Sequence, residues 1–196
     1  MSPFLNLKRF RRSRGPVELA VDMAGVRMGE RVLHVGVGDP RVFALVSSKV
    51  GLTGRACATV DSAAAQATLE KAAARQGVLV EIALVSGGRW PYDSSSFDVA
   101  VVDANALLRS SATDRQNRLV NTVRVVRPGG RVIAIRRRPR GIAARLGFEP
   151  ASGPPGAQTL ELVRALGQAG CRPVRVLAER EGLSFVEGFR PGAPVI

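Results

Sequence analysis

Residues 32–40 read VLHVGVGDP. Apolar residues lead straight into Gly36 and Gly38, and Asp39-Pro40 follows, a pattern that predicts a buried strand breaking into a tight turn that opens a helix. Glycine lets the backbone take up positive φ and come close to a bound molecule, and the free N–H groups at the helix start favour polar or anionic ligand groups. The same Gly-x-Gly turn also serves as a purely structural connection. The stretch alone leaves both readings open.

Working outward, residues 40–50 place Val42, Leu45, Val46 and Val50 on one helical stripe closed by Gly51, with Asp39 as N-cap and Pro40 as first helical residue. Residues 55–60 predict a second strand ending at Asp61, and Ser62 caps an alanine-rich helix to about Gln76 with Gly77 behind it. Asp61 thus lies roughly 20 residues beyond the glycines, where an acid in a nucleotide-binding fold accepts hydrogen bonds from ribose hydroxyls. An Asp that merely flanks a helix is the other reading. Upstream, Pro16 starts a helix over 16–24, and Gly25 stops it.

Downstream, strands are expected over 78–85 and 97–103, separated by a loop over 86–96. A helix over 111–126 and the turn Arg127-Pro128-Gly129-Gly130 lead to a strand over 131–135. Alternating strands and helices imply right-handed crossovers and a mostly parallel sheet, with ligands at the carboxyl ends of the strands. Residues 136–155, rich in Arg, Pro and Gly, read as a long loop with a short helical turn at 142–146. A helix over 158–169 and an antiparallel strand pair over 173–178 and 183–189 complete the pattern.

The chain has 196 residues and is 45% hydrophobic, enough for one α/β domain over 16–196 preceded by a basic arm over 1–15. Its two cysteines, Cys57 and Cys171, have neither disulfide-framework nor metal-ligand spacing, so no metal site is expected and a reducing, cytoplasmic compartment fits. No apolar run approaches the roughly 18 residues of a membrane span. The net charge of +13 comes mainly from arginine, clustered at Lys8 to Arg14 and again at Arg136 to Arg145. The first cluster interleaves with Phe4, Leu5, Leu7 and Phe10. It reads as a solvated arm or as a segment that touches RNA or an anionic membrane from the periphery.

The ordered set VLHVGVG, ATVD, RWPYDSSSFDVAVV and VVRPGGRVIAI, followed by a terminal β-hairpin, resembles class I S-adenosylmethionine-dependent methyltransferases. The resemblance covers residues 17–190 and is greatest to the small C- and O-methyltransferases related to quinone biosynthesis. It implies a Rossmann-like, doubly wound, three-layer α/β fold with a seven-stranded sheet whose final strand runs antiparallel. S-adenosylmethionine would lie across the ends of the first, second and fourth strands. Gly36, Val37 and Gly38 match the loop that receives its methionyl part. Asp61, with Ser62, matches the ribose acid, and Ser86 and Gly87 fall beside the adenine. Pro91, Phe97 and Asp98, and Pro128 to Gly130, match structural stretches. The motif is degenerate at three places: His34 stands where the family has an acid, Pro40 replaces the third glycine, and Ser86 replaces an Asp.

Asp39 is read as an N-cap or as a partner for the cofactor's ammonium or sulfonium. His34, the one histidine, is a structural side chain or a catalytic base. Asp103, with Asn105 just after it, ends the fourth strand on the acceptor side and is the better candidate for a proton acceptor or substrate contact, and it also falls among the cofactor positions. Arg136, Arg137 and Arg138 follow the fifth strand and, with the N-terminal arm, would attract an acidic small-molecule acceptor, RNA or an anionic membrane carrying a lipid-like acceptor, unless they are simply solvated. Three function classes follow: a methyltransferase, a catalytically inactive methyltransferase-like binding or scaffolding protein, and a nicotinamide dehydrogenase. Arg41 in place of the last glycine of GxGxxG argues against the third.

Overall fold

The computed structural model describes residues 15–85, 88, 90–138 and 156–192. Residues 1–14 of the basic arm, Ser86, Gly87, Arg140, Arg145 and the helical turn expected at 142–146 lie outside the described residues. Helix α1, Pro16–Ala24, buries Val17, Ala20, Val21 and Ala24 and ends at Gly25 in the left-handed region. Strand β1, Arg31–Val35, is buried after its first residue and leads through the glycine turn into α2, Pro40–Lys49. Strand β2, Arg55–Val60, and helix α3, Ala63–Gln76, repeat the unit, with Ser62 accepting from the Ala65 N–H as N-cap.

Strand β3 spans only Glu81–Leu84, against an expected 78–85. The reason is the end of α3: Gly77 is left-handed and the Val78 N–H closes on the Ala73 carbonyl, so these residues finish the helix instead of entering the sheet. Strand β4, Phe97–Asp103, runs directly into a short helix α4, Ala104–Arg109, which was not expected. Helix α5, Ala112–Val125, follows. Strand β5, Val126–Arg137, takes in both the turn at 127–130 and the first arginines of the presumed loop. It extends because Arg136 and Arg137 pair with Ser184 and Leu183. Helix α6 is Ala157–Gln168, and strands β6, Val174–Arg180, and β7, Leu183–Phe189, form the terminal hairpin.

The sheet order is β3-β2-β1-β4-β5-β7-β6. The first five strands are parallel, and β7 is antiparallel to both neighbours. Val32, Val99, Val101 and Phe185 face α1 and α2, while Leu33, Val102, Val132 and Val186 face α5 and α6, which makes three layers with a core on each side of the sheet. Among the described residues, no helix is long and apolar enough to cross a membrane, and no three His, Cys, Asp or Glu side chains gather as a metal site.

At the opposite edge from the strand carboxyl ends, Asp98 accepts from the Arg31 N–H at 2.7 Å and from Arg127 Nε at 2.6 Å. It thereby ties β1, β4 and the turn before the body of β5 together. Gly130 lies in that turn, where a Cβ would come within 2.6 Å of Val126 Cγ1, 2.8 Å of the Asp98 carbonyl and 2.9 Å of the Arg127 carbonyl. Two of these three atoms are backbone and cannot step aside. Gly130→Ala is therefore expected to lower stability by about 2 kcal/mol, read from the midpoint of a urea transition.

Candidate functional site

The carboxyl ends of β1, β4 and β5 enclose a cavity of about 580 Å³, a size usual for small-molecule sites. Ala20, Val42, Phe43, Val101, Ile135 and Leu183 make its wall apolar. Its polar side is the glycine turn with Asp103, Asn105, Arg109 and Arg137. The parallel strands bring these residues together, because each side chain sits at or just past a strand end.

Gly36 has φ +83° and donates its N–H to the Thr59 carbonyl at 2.9 Å. A Cβ at Gly36 would lie 3.5 Å from the Asp103 Cβ, and one at Gly38 3.7 Å from it, so the turn rests against the junction of β4 and α4. Positive φ is the stricter demand at Gly36, since other residues adopt it only with strain. Val37 also lines the cavity.

Asp39 caps α2, accepting from the Arg41 N–H at 3.0 Å. Its Oδ2 also accepts from Arg41 Nη2 and from Arg137 Nη2, both at 2.9 Å. Hydrogen bonding from Arg41 holds its carboxyl below the usual carboxylate range, against the opposing effect of burial. Asp39 is thus an N-cap whose charge two guanidinium groups already share. Arg137 is fixed from behind: its N–H donates to Asn105 Oδ1 at 2.7 Å, and its carbonyl accepts from Asn105 Nδ2 at 2.8 Å. Of its neighbours in the arginine cluster, Arg136 lies within β5 opposite Ser184 and Arg138 pairs with Glu179 at 2.6 Å. Arg137 is the member of the trio on the cavity wall.

His34 lines the cavity floor at 5% exposure, with its ring edge-on to Phe43 and Nε2 3.5 Å from Ser47 Oγ. Burial lowers its pKa to about 3, so the imidazole is neutral at physiological pH. Asp103 behaves oppositely: burial raises its pKa, although its carboxylate accepts from the Asn105 N–H at 3.0 Å. A partly dry carboxyl beside an apolar cavity is suited to taking a proton from a bound molecule.

Asp61 stands at the end of β2 and is not on the cavity wall. Arg118 of α5 donates to its Oδ2 at 3.0 Å. A second space, between the ends of β1, β2 and β3 and the α5 residues Asp114, Asn117, Arg118 and Asn121, measures only about 50 Å³. Ser62 is spent as the cap of α3. Sequence reasoning placed Asn105 beside Asp103 but missed α4, and with it Arg109. The available signal was Asp103 as a capping residue followed by Ala104 and the Leu107-Leu108 pair. Nothing in the sequence pointed to Arg118.

Residues 2–142 match the ubiE/COQ5 methyltransferase family. The chain is 30% identical over 118 residues to the ubiquinone/menaquinone biosynthesis C-methyltransferase UbiE of Idiomarina loihiensis, covering 59% of this chain and 45% of that one. It is 27% identical over 165 residues to the enzyme of the same name from Erwinia tasmaniensis, covering 81% and 62%. The chain therefore spans between about half and three fifths of the length of these relatives. Among solved structures, a SAM-dependent methyltransferase from Aquifex aeolicus superposes with a TM-score of 0.69 over 90% of both chains at 20% identity.

Proposed function

This chain belongs to the ubiE/COQ5 methyltransferase family, and from that premise we propose that it methylates an apolar small molecule seated in the cavity at the ends of β1, β4 and β5. S-adenosylmethionine is the cofactor that this membership implies. The observation that carries the reading is the cavity's position. It opens directly beside Gly36, Gly38 and Asp103, so an acceptor there lies against the turn that matches the family's methionyl loop.

The donor set suits the cofactor at its amino-acid end, where Gly36, Val37 and Gly38 offer backbone and little side chain. At the nucleoside end the Asp61 carboxylate is the right group for a vicinal diol, with Ser62 beside it, although Arg118 already holds one of its oxygens. When bound, the cofactor supplies an electrophilic methyl group on a sulfonium. The chain's own part is to keep the cavity dry, align the acceptor and take up its proton. Phe43, Val101 and Leu183 exclude water. Asp103 receives the proton on its carboxylate, and its raised pKa matches that task. Arg137, clamped by Asn105, and Arg109 face an oxygen or acidic group on the acceptor, with Arg136 and Arg138 flanking at the end of β5. His34, being neutral, serves as wall.

A second reading has specific support. The engagement of Asp39 by two arginines and of Asp61 by Arg118 fits a methyltransferase-like binding protein without activity. Calorimetric titration with S-adenosylhomocysteine separates the two. The methyltransferase reading expects saturable 1:1 heat, and silence toward both S-adenosylhomocysteine and S-adenosylmethionine would sink it in favour of the binding protein.

A further inference from the structure

We propose that Arg118 is a latch on the nucleoside seat: its guanidinium competes with the ribose of S-adenosylmethionine for the Asp61 carboxylate, so the nucleoside end fills only when that pair opens. The inference rests on the reading above, that the cofactor runs along the strand ends past Asp61.

Arg118 reaches Asp61 from a helix that is itself held in place. Leu119 and Val123 bury the inner face of α5, Arg115 pairs with Glu161 of α6 at 2.7 Å, and Asn121 Nδ2 donates to the Gly88 carbonyl at 3.0 Å. From that fixed base the Arg118 Nη2 spans to the end of β2 at 3.0 Å. Behind the pair, the space bounded by Val35, Thr59, Val85, Trp90 and α5 is about 50 Å³, room for a few water molecules and not for a purine. The amino-acid end of the trough, by contrast, opens on about 580 Å³. The two halves of one ligand path thus differ, and the narrow half carries an arginine on the carboxylate that the ligand needs.

The chemistry is a direct exchange. A ribose diol would bring two neutral hydroxyl donors to the carboxylate and send a charged donor back to water. Side-chain exposure is 28% for Arg118 and 56% for Asp61, so solvent screens the pair and the latch yields to ligand. It tunes affinity without blocking the site.

The test is calorimetry of the full chain with S-adenosylhomocysteine, comparing wild type with Arg118→Ala and Arg118→Met at low and raised NaCl. Alanine and methionine both favour a helix interior, and equal unfolding temperatures would establish that the variants fold. Methionine keeps much of the side-chain length, which separates charge from bulk. Both variants are expected to bind about fivefold tighter, the upper end for an ion pair this exposed. Wild-type affinity should rise with salt as screening loosens the pair, with no such rise in the variants. Unchanged or weaker binding in either variant, or a wild-type affinity that follows the variants with salt, overturns the latch while leaving the cofactor reading in place. No binding by wild type or either variant overturns both.

Discussion

Between pH 7 and pH 4 the folded protein is expected to lose about 3 kcal/mol of stability relative to a His34→Gln variant. The imidazole of His34 is buried against Phe43, and burial lowers its pKa from 6.5 to about 3. In the unfolded chain it takes a proton as the pH falls through 6.5, whereas in the folded chain it does not until about 3. The unfolded state binds more protons throughout that window, so the stability is whole above the upper value and drains away toward the lower one. The slope is about 1.4 kcal/mol per pH unit. Carboxylates titrate over part of the same range in both proteins and cancel in the difference. Urea denaturation at pH 7, 5.5 and 4 checks this through the change in the gap between the two proteins, since the packing of glutamine shifts the absolute values. Parallel pH profiles would refute it. The same burial leaves His34 without the charge of the acid that the resemblance puts at this position.

Asp61→Asn is expected to weaken S-adenosylhomocysteine binding by about tenfold, measured by the same titration. A hydrogen bond to a charged acceptor contributes about 1.5 to 3 kcal/mol, and the lower end applies because more than half of the Asp61 side chain faces solvent. The substitution also releases Arg118, so the observed loss is net of any competition. The Asp61→Asn, Arg118→Met double variant should then bind like Asp61→Asn alone, a non-additivity that independent residues would not show. Global stability should hardly change, because an exposed pair contributes little to it. An unchanged affinity in Asp61→Asn would take the nucleoside away from the end of β2.

The order of strands and helices was readable because each buried strand is a dense apolar run and each long helix carries a cap, a stripe or both. Asp39 and Pro40 at α2, Ser62 at α3 and Gly25 at the end of α1 mark their boundaries chemically. Helix α4 escaped notice because Ala104–Arg109 is shorter than two turns and shows no period. Val78 looked like strand and instead closes α3. Arg136 and Arg137 looked like loop, yet β7 recruits them into the sheet, a non-local pairing that local composition does not carry. The glycine turn, Asp39, His34 and Asp103 were legible as one group because they lie at the ends of two neighbouring strands. The engagement of Asp61 by Arg118 was not, since 57 residues separate them and only the packing of α5 joins them. For the same reason Arg137 could be placed near the cavity mouth from topology, while its hold on Asp39 across 98 residues could not.

Strand β7 lies between β5 and β6, and among the described residues β6 pairs with no strand but β7. During translation, therefore, β5 must wait with an open edge of hydrogen-bonding groups until residues 183–189 leave the ribosome, and β6 emerges earlier with nothing to pair with. Chains that stop short of Leu183 would offer neighbouring polypeptides an apolar edge flanked by Val132, Ile133 and Ala134, the arrangement that seeds intermolecular sheet. Protein production from such shortened messages should accordingly end in inclusion bodies.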